Sequence, residues 1–373
     1  LLAPAAEAAS APSPALAATL RRLMQAGLDD VYRGDLAQAL AADLVAAGAP
    51  VTAADLAAHA AIVREPLTLR LRAGTAWAPP PPSQGVAALV MLGLLDRLEQ
   101  GPQAGGFDHL HAVIEAAKQM TLLRDPAVAD PDAMTLDVAH LLTPRLLAER
   151  ASDIVPNLAL QWPLPPPEDG TAAPLAPPPD ECAVALMAVD AAGCLAVTLQ
   201  SLGRRGGSGV ASAATGVVMA ARPGGFTLAD GCPRRLAPGR RPFHALAPLL
   251  ERLKDGRALV LAAGGGDAQP QTLAQLYGRL VTFGEAPAAV LAAPRLRLGP
   301  VQPGDADDVK AEAGLSPRVL DGLRAAGHAV RDLPARDGEV TGAAAVLVVA
   351  EDGATAAQTA DPRATAGAAL SAR

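Results

Sequence analysis

Three consecutive glycines form the arrangement in this sequence that is best suited to chemistry. Gly264, Gly265 and Gly266 follow the apolar run RALVLAA and precede the amphipathic run PQTLAQLYGRLVTF. This pattern predicts a strand, a glycine turn and a helix, which would present backbone N–H groups into a site with the aid of the helix N-terminus. The segment is not a P-loop because the GK[ST] ending is missing. A plain strand–helix turn is the alternative interpretation.

A second candidate for chemistry is the stretch DECAVALMAVDAAG, residues 180–193, which is built like the start of a catalytic strand. It follows a proline-rich segment, alternates small and apolar residues, and ends in a turn. Near its start, Ala183 offers only a methyl group. Cys182 precedes it, but adjacent strand residues point to opposite faces, so its thiol would face away from the side of Ala183 unless a one-residue bulge intervenes. Asp180 and Glu181 would also raise the pKa of this thiol by like-charge repulsion.

The cysteine count argues against a metal centre and a disulfide framework. The chain has three cysteines, Cys182, Cys194 and Cys232, and no CxxC pair. An odd number without paired spacing is atypical of both kinds of site. We expect no metal and no cofactor, and we expect the cysteines to be small apolar core residues.

The composition excludes two classes of partner. The 373 residues carry a net charge of −7 and show no Lys/Arg cluster, which argues against nucleic acid. No apolar run approaches the roughly 20 residues that span a bilayer. Only 2% of the residues are aromatic, so Leu, Val and Ala must fill the core.

The elements expected to position these residues fall into two groups. Up to about residue 155 the pattern is mostly helical, with one half-buried strand where Leu67, Leu69 and Leu71 alternate with polar residues. The first predicted helical stretch covers residues 14–49 and is broken at YRGD. A short helix follows, capped by Thr52 and Asp55. Two further helices are predicted, one starting at Gly85 and one over residues 110–117.

After a proline-rich segment the pattern changes to strands. CAVALMAV and CLAVTLQS flank Asp190–Gly193 and predict a hairpin, with Ala183 roughly opposite Gln200 and beside Ser201. Further predicted elements are the strands TGVVMAA, RALVLAA and AAAVLVVA and a helix over residues 318–326. Helices, then strands, then helices fit a layered α/β (α+β) sandwich. We predict a mostly helical region over 1–155, a linker over 156–180 and a strand-rich region over 181–373.

The order of several motifs resembles the γ-glutamyltransferase family of N-terminal nucleophile hydrolases. The chain contains, in the family's order and spacing, the segments PPPSQG, GSGVASAATGVVMAARPGGFTL, PGRRPFHALAPLL, GGGDAQPQTLAQL and APRLRLGP, and ADPRATAGAA near its end is similar to the family's terminal signature. Each segment is weak evidence alone, but their order is specific. The resemblance implies a four-layer αββα fold. We expect the chain to lack the family's N-terminal part.

The resemblance also implies a chemistry. Family members cut themselves into two subunits, and the new N-terminal threonine attacks a γ-glutamyl amide with its own α-amine as the base. Gly265 and Gly266 fall where the family stabilises the oxyanion with backbone N–H groups. Ala183 falls on the threonine position and Ala185 on that of a family histidine. The hydroxyl needed for both self-cleavage and catalysis is therefore absent.

The glutamate-recognising positions of the family are largely replaced. Ser201 matches a second hydroxyl that hydrogen-bonds the nucleophile, although it could be an ordinary strand-end serine. Gly203 falls where the family has an Asn, and Gly225 falls where it has an Asp. His244 and Ala245 fall where it has two serines. In the family, these four side chains contact the glutamate of the substrate. His244 could contact a ligand or be structural.

Three functional interpretations follow. The first is a diverged family member that hydrolyses or transfers γ-glutamyl amides such as glutathione weakly or not at all, with a γ-glutamyl or acyl amide as its small-molecule ligand. The second is an amidohydrolase or acylase that uses Cys182 as its N-terminal nucleophile. The third is a non-catalytic binding or scaffold homologue. The sequence leaves open whether the chain forms an oligomer, whether it is a fragment of a longer gene product, and its compartment.

Overall fold

The computed structural model describes residues 13–163, 183–301, 304–351 and 355–364. The chain divides into two compact units. The first unit comprises residues 1–64 and 201–222, and the second comprises residues 65–200 and 223–373.

The first unit is a small helical body with a loop. Its helices are α1 (Pro14–Ala26), α2 (Asp30–Arg33), α3 (Asp35–Ala46) and α4 (Ala53–Ala58). The predicted break at YRGD is confirmed at Gly34, between α2 and α3, and α1 ends earlier than predicted at Gly27, whose φ is 92°. The predicted capping box is confirmed, because Thr52 and Asp55 bond reciprocally at the start of α4.

The predicted strand TGVVMAA is wrong. Only an isolated bridge between Ala211 and Val218 forms there. Ser212 begins a turn in which its Oγ accepts from the Thr215 N–H at 3.0 Å, and the Asp43 carboxylate accepts from both Ser212 Oγ and the Ala214 N–H. These side-chain hydrogen bonds satisfy the backbone locally, so the apolar residues that follow form a loop rather than a ladder.

A six-stranded antiparallel sheet is the centre of the second unit. Its strand order is β1-β2-β5-β6-β10-β11, and a three-stranded sheet β7-β8-β9 lies elsewhere in the unit. The strands of the unit are β1 (Leu67–Arg70), β2 (Gly74–Ala78), β3 (Val184–Val189), β4 (Leu195–Gln200), β5 (Leu249–Leu253), β6 (Ala258–Ala263), β7 (Leu296–Leu298), β8 (Val309–Glu312), β9 (Val330–Leu333), β10 (Ala344–Val349) and β11 (Thr355–Ala360).

Helices cover one face of the six-stranded sheet. The helices of the unit are α5 (Gly85–Leu95), α6 (Phe107–Arg124), α7 (Pro144–Ser152), α8 (Gln269–Tyr277), α9 (Pro287–Ala292), α10 (Pro317–Ala325) and α11 (Gly338–Thr341). Every residue of α5 is buried, and it packs among α6, α7, α8 and strands β1 and β2. Large apolar side chains such as Leu89, Ile114 and Leu261 are fully buried in this layer, and burial of each contributes about 1.5–3 kcal/mol.

The predicted hairpin is confirmed and covers the other face of the sheet. Its strands β3 and β4 pair from Val184 opposite Gln200 to Val189 opposite Leu195, which is one residue away from the predicted register. Inward side chains such as Met187 and Val197 pack against Val260 and Leu347 of β6 and β10. The helices, the six-stranded sheet and the hairpin provide the α, β and β layers of the expected αββα sandwich, and the predicted mixed α/β class is confirmed. No helix in the described part of the chain is long and apolar enough to cross a membrane.

Candidate functional site

The three glycines after β6 form a turn whose backbone only glycine adopts without strain. Gly265 and Gly266 have φ of 86° and 56°, in the left-handed region. Gly342, with φ of 75°, packs against them so closely that a Cβ would lie 2.4 Å from the Gly264 carbonyl oxygen. The Gly264 N–H donates to the Ala343 carbonyl at 2.7 Å. Two backbone segments therefore hold the turn in one conformation.

The turn presents two backbone donors for which the described part of the chain provides no acceptor. Gly265 and Gly266 are buried, yet neither N–H donates to any other residue in the described ranges. A buried N–H without an acceptor costs free energy, so such groups normally have a protein, water or ligand partner. Two fixed donors of this kind can hold a carbonyl oxygen and stabilise the negative charge that develops on it during attack.

Gln84, from the segment PPPSQG, fixes the carbonyl side of the turn. Its Nε2 donates to the Gly266 carbonyl at 3.1 Å and to the Ala245 carbonyl at 2.8 Å. Its Oε1 accepts from Arg124 Nη1 at 2.9 Å. The side chain is fully buried, and it joins three segments that are far apart in sequence. The sequence analysis quoted the segment but did not identify Gln84 as a positioning residue.

A buried charge network lies behind Gln84. Arg124 Nη2 contacts Asp125 Oδ1 at 2.7 Å and Asp267 Oδ2 at 2.9 Å. Burial raises the pKa of Asp267, but the guanidiniums of Arg124 and Arg234 outweigh it and hold this pKa below its usual range. Arg234 lies 3.9 Å from the centroid of the Phe243 ring, and burial together with Arg124 lowers its pKa to about 10.

Ala183 lies beside the glycine turn. A Cβ on Gly264 would lie 3.6 Å from the carbonyl oxygens of Ala183 and Ala343. Ala183 directly precedes β3, and Ala185 lies on that strand. The position where a nucleophile was expected is therefore next to Gly264, the first residue of the turn, but it carries no hydroxyl. Cys182, the alternative nucleophile, lies outside the described residues.

The remaining predicted residues divide between the two units. The backbone of His244 forms an isolated β-bridge with Ser83, and the His244 carbonyl accepts from the Gln84 N–H at 3.2 Å. His244 therefore lies with Ala245 in the network around Gln84. A Cβ on Gly225 would lie 2.5 Å from the Phe243 carbonyl oxygen, so the backbone here leaves no room for a side chain.

Ser201 and Gly203 belong to the first unit. The Gly203 N–H donates to Ser201 Oγ at 2.9 Å in a local turn. Their assignment to the site stays a prediction.

A second buried polar cluster was not identified from the sequence. Lys118 Nζ donates to Glu115 Oε1 and to the Leu160 carbonyl, both at 2.7 Å, and lies 3.5 Å from His328 Nδ1. His111 Nδ1 lies 2.9 Å from His328 Nε2. Burial, helped by Lys118 and His111, lowers the pKa of His328 to about 3.

This cluster has metal-ligand types but already contains a cation. His111, Glu115 and His328 offer ligand atoms within 4.8 Å of one another. The Lys118 ammonium, however, neutralises Glu115 where a metal ion would have to bind. We therefore propose no metal there, and the expected absence of a cofactor stays a prediction.

Comparisons with known proteins relate the whole chain to one group of enzymes. A family model described as gamma-glutamyltranspeptidase matches residues 4–371. The oxamate amidohydrolase proenzyme of Klebsiella pneumoniae is 38% identical over 350 residues, covering 94% of this chain and 63% of that protein. The glutathione hydrolase-like YwrD proenzyme of Bacillus subtilis is 29% identical over 340 residues, covering 91% and 62% respectively.

Comparison with solved structures supports the same relationship. The cephalosporin acylase from Bacillus halodurans superposes with a TM-score of 0.81 at 27% identity, covering 94% of this chain and 61% of that one. The chain thus spans about three fifths of the length of these relatives.

Proposed function

Because the chain belongs to the γ-glutamyltranspeptidase family, we propose that it binds a small amide at the Gly264–Gly266 turn and hydrolyses it slowly or not at all. The ligand class is a γ-glutamyl amide of the glutathione type or an acyl amide. The observation that carries this proposal is that Ala183, a residue without a nucleophilic atom, lies against Gly264 in the turn whose Gly265 and Gly266 N–H groups have no partner among the described residues.

The donors support binding of an amide carbonyl. The N–H groups of Gly265 and Gly266 are held in place before any ligand arrives, because Gln84 and Gly342 fix the turn. A carbonyl oxygen placed between them would restore two hydrogen bonds, each contributing about 0.5–1.5 kcal/mol. The named relatives, an oxamate amidohydrolase, a glutathione hydrolase-like protein and a cephalosporin acylase, support an amide as the ligand.

The missing nucleophile supports weak or absent turnover. Attack on the carbonyl carbon requires a lone pair, and the methyl group of Ala183 has none. The oxyanion donors alone can supply only part of the rate acceleration. They stabilise a negative charge that forms only when a nucleophile adds to the carbonyl carbon. The same reasoning applies to self-cleavage, which needs the hydroxyl to add to the preceding carbonyl.

The replaced Gly225 supports a change in substrate. An acidic side chain at this position would contact the Phe243 carbonyl oxygen, so it could not pair with a substrate amine without a backbone shift. We therefore propose that a γ-glutamyl group is bound less tightly here than in glutathione hydrolases, and that an acyl amide without an α-amine binds at least as well.

The test combines an intact-mass measurement with binding and turnover. We expect one uncut chain of 37.5 kDa, saturable binding of γ-glutamyl-p-nitroanilide or phenylacetamide by ligand-detected NMR, and no release of p-nitroaniline. Gly266→Ala should weaken binding, whereas Gly224→Ala is a matched control because a Cβ there meets nothing within 4 Å. A break after Glu181 together with turnover would instead support Cys182 as the nucleophile. Absence of any binding would leave the scaffold interpretation.

A further inference from the structure

A cavity of about 600 Å³ lies in the second unit between the end of α6 and the loop over residues 231–240. Leu122, Leu123 and Ala127 line one side, and Cys232, Arg235 and Arg240 line the other. Its volume is in the range of small-molecule sites.

The cavity is separate from the glycine turn. Arg124 follows the lining residues of α6 and turns inward to Gln84 and Asp267, and Arg234, beside the lining residue Arg235, turns inward over Phe243. Arg234 also donates to the Val128 carbonyl at 2.7 Å. The arginines Arg124 and Arg234 are therefore sequence neighbours of lining residues, but their guanidiniums contact Gln84, Asp267 and Phe243, none of which lines the cavity.

The lining indicates the chemistry of a ligand. Leucine, alanine and proline side chains form most of the wall, whereas the charged groups are the guanidiniums of Arg235 and Arg240. Arg240 makes no ion pair with another residue in the described ranges. Arg235 pairs with Asp230 at 3.1 Å, but both side chains are more than half exposed, and such a pair contributes at most about 1 kcal/mol.

We infer that this cavity is a binding site for an organic carboxylate with an apolar body, such as a medium-chain acyl carboxylate. The apolar body would displace water from the leucine-lined wall, which is the favourable term in binding. The carboxylate would accept charge-assisted hydrogen bonds from Arg240 and from Arg235, which can exchange Asp230 for the ligand. A cation of the same shape would be repelled by both guanidiniums.

Cys232 makes the cavity testable without any enzymatic assay. It is a free, half-buried thiol in the lining, and Cys194, which is free and exposed on the hairpin turn, is an internal reference. A ligand in the cavity should shield Cys232 from alkylation by iodoacetamide and leave Cys194 unchanged.

The experiment measures alkylation rates of the two cysteines by peptide mass spectrometry at neutral pH, with sodium octanoate or octylammonium chloride. We expect octanoate to slow labelling of Cys232 several-fold in a saturable manner, with octylammonium much weaker. Arg240→Ala should raise the half-maximal octanoate concentration by about tenfold, the effect of one charge-assisted hydrogen bond. Arg257→Ala is the control, because Arg257 is an exposed arginine outside the lining.

Three results would overturn the inference: no saturable protection of Cys232, equal protection by octylammonium, or equal slowing of Cys194. Thermal unfolding of each variant would show that Arg240→Ala is folded, and Arg235→Ala provides an independent second variant. Because the readout does not use turnover, the inference stands or fails separately from the proposed function.

Discussion

Replacing Lys118 by Met should destabilise the second unit strongly. Lys118 and Glu115 are 2% and 1% exposed, and their ion pair is 2.7 Å long. Met keeps most of the volume and the apolar contacts of the lysine chain but removes its charge. Glu115 would then be a buried carboxylate without a cation, although it would still accept from the Leu160 N–H at 3.2 Å.

The expected loss in the free energy of unfolding is about 3–5 kcal/mol, the usual cost of leaving one partner of a buried ion pair unpaired. Urea titrations followed by far-UV circular dichroism at pH 7 would measure it. The double variant Lys118→Met/Glu115→Gln removes both charges and should recover more than half of the loss.

Lys254→Met is the control, because this lysine is exposed and its replacement should change stability by less than about 0.5 kcal/mol. A loss below about 1 kcal/mol for Lys118→Met, or no recovery in the double variant, would refute the reasoning. If the single variant cannot be purified, a stable double variant would still support the reasoning, because removing the unpaired Glu115 charge would then have restored folding.

Three further predictions concern the site and its supports. Ala183→Thr alone should not restore release of p-nitroaniline from γ-glutamyl-p-nitroanilide, because Gly225 offers no group for the substrate amine; clear turnover, against an active relative as positive control, would contradict this. Gly342→Ala should destabilise the turn and weaken amide binding, because its Cβ would lie 2.4 Å from the Gly264 carbonyl oxygen; unchanged binding and stability, judged against Gly224→Ala, would contradict it. Burial raises the pKa of Glu251 to about 7, so the stability it contributes is fully present below its unfolded pKa of 4.5 and is lost as the pH rises through 7. Glu251→Gln should therefore gain about 2–3 kcal/mol relative to the unaltered protein between pH 5 and pH 8, and parallel stability curves would disprove this.

Elements with strong local patterns could be predicted from the sequence. The alternation on both sides of Asp190–Gly193 predicts the hairpin, because the Asp190 carboxylate accepts from the N–H groups of Ala192 and Cys194 and closes the turn locally. Strand β2 was missed because GTAWA contains mostly residues with low strand propensity, and it forms only because β1 and β5 pair with it on both sides.

The supports of the candidate site could not be predicted in the same way. The glycine turn itself is visible in the sequence, but its contact with Gly342 joins segments nearly 80 residues apart. His111, Glu115 and Lys118 recur at helical spacing on α6, which was a signal of a shared polar face. Their partner His328 is 210 residues from Lys118, and a single sequence does not reveal such a pairing.

The hydrogen bonds of the Lys118 cluster determine which ring nitrogen of His111 and of His328 carries the hydrogen. His111 Nε2 lies 3.0 Å from the Val155 carbonyl, which can only accept, so Nε2 carries the hydrogen. Its Nδ1 then accepts from His328 Nε2, and His328 Nδ1 is left as an acceptor facing the ammonium. Both rings are thereby held in the Nε2–H tautomer, in a chain of dipoles that runs from the lysine to the backbone at residue 155. Such rings should give two slowly exchanging imidazole proton signals in NMR spectra, and these would report directly on whether the segment after α7 is in place.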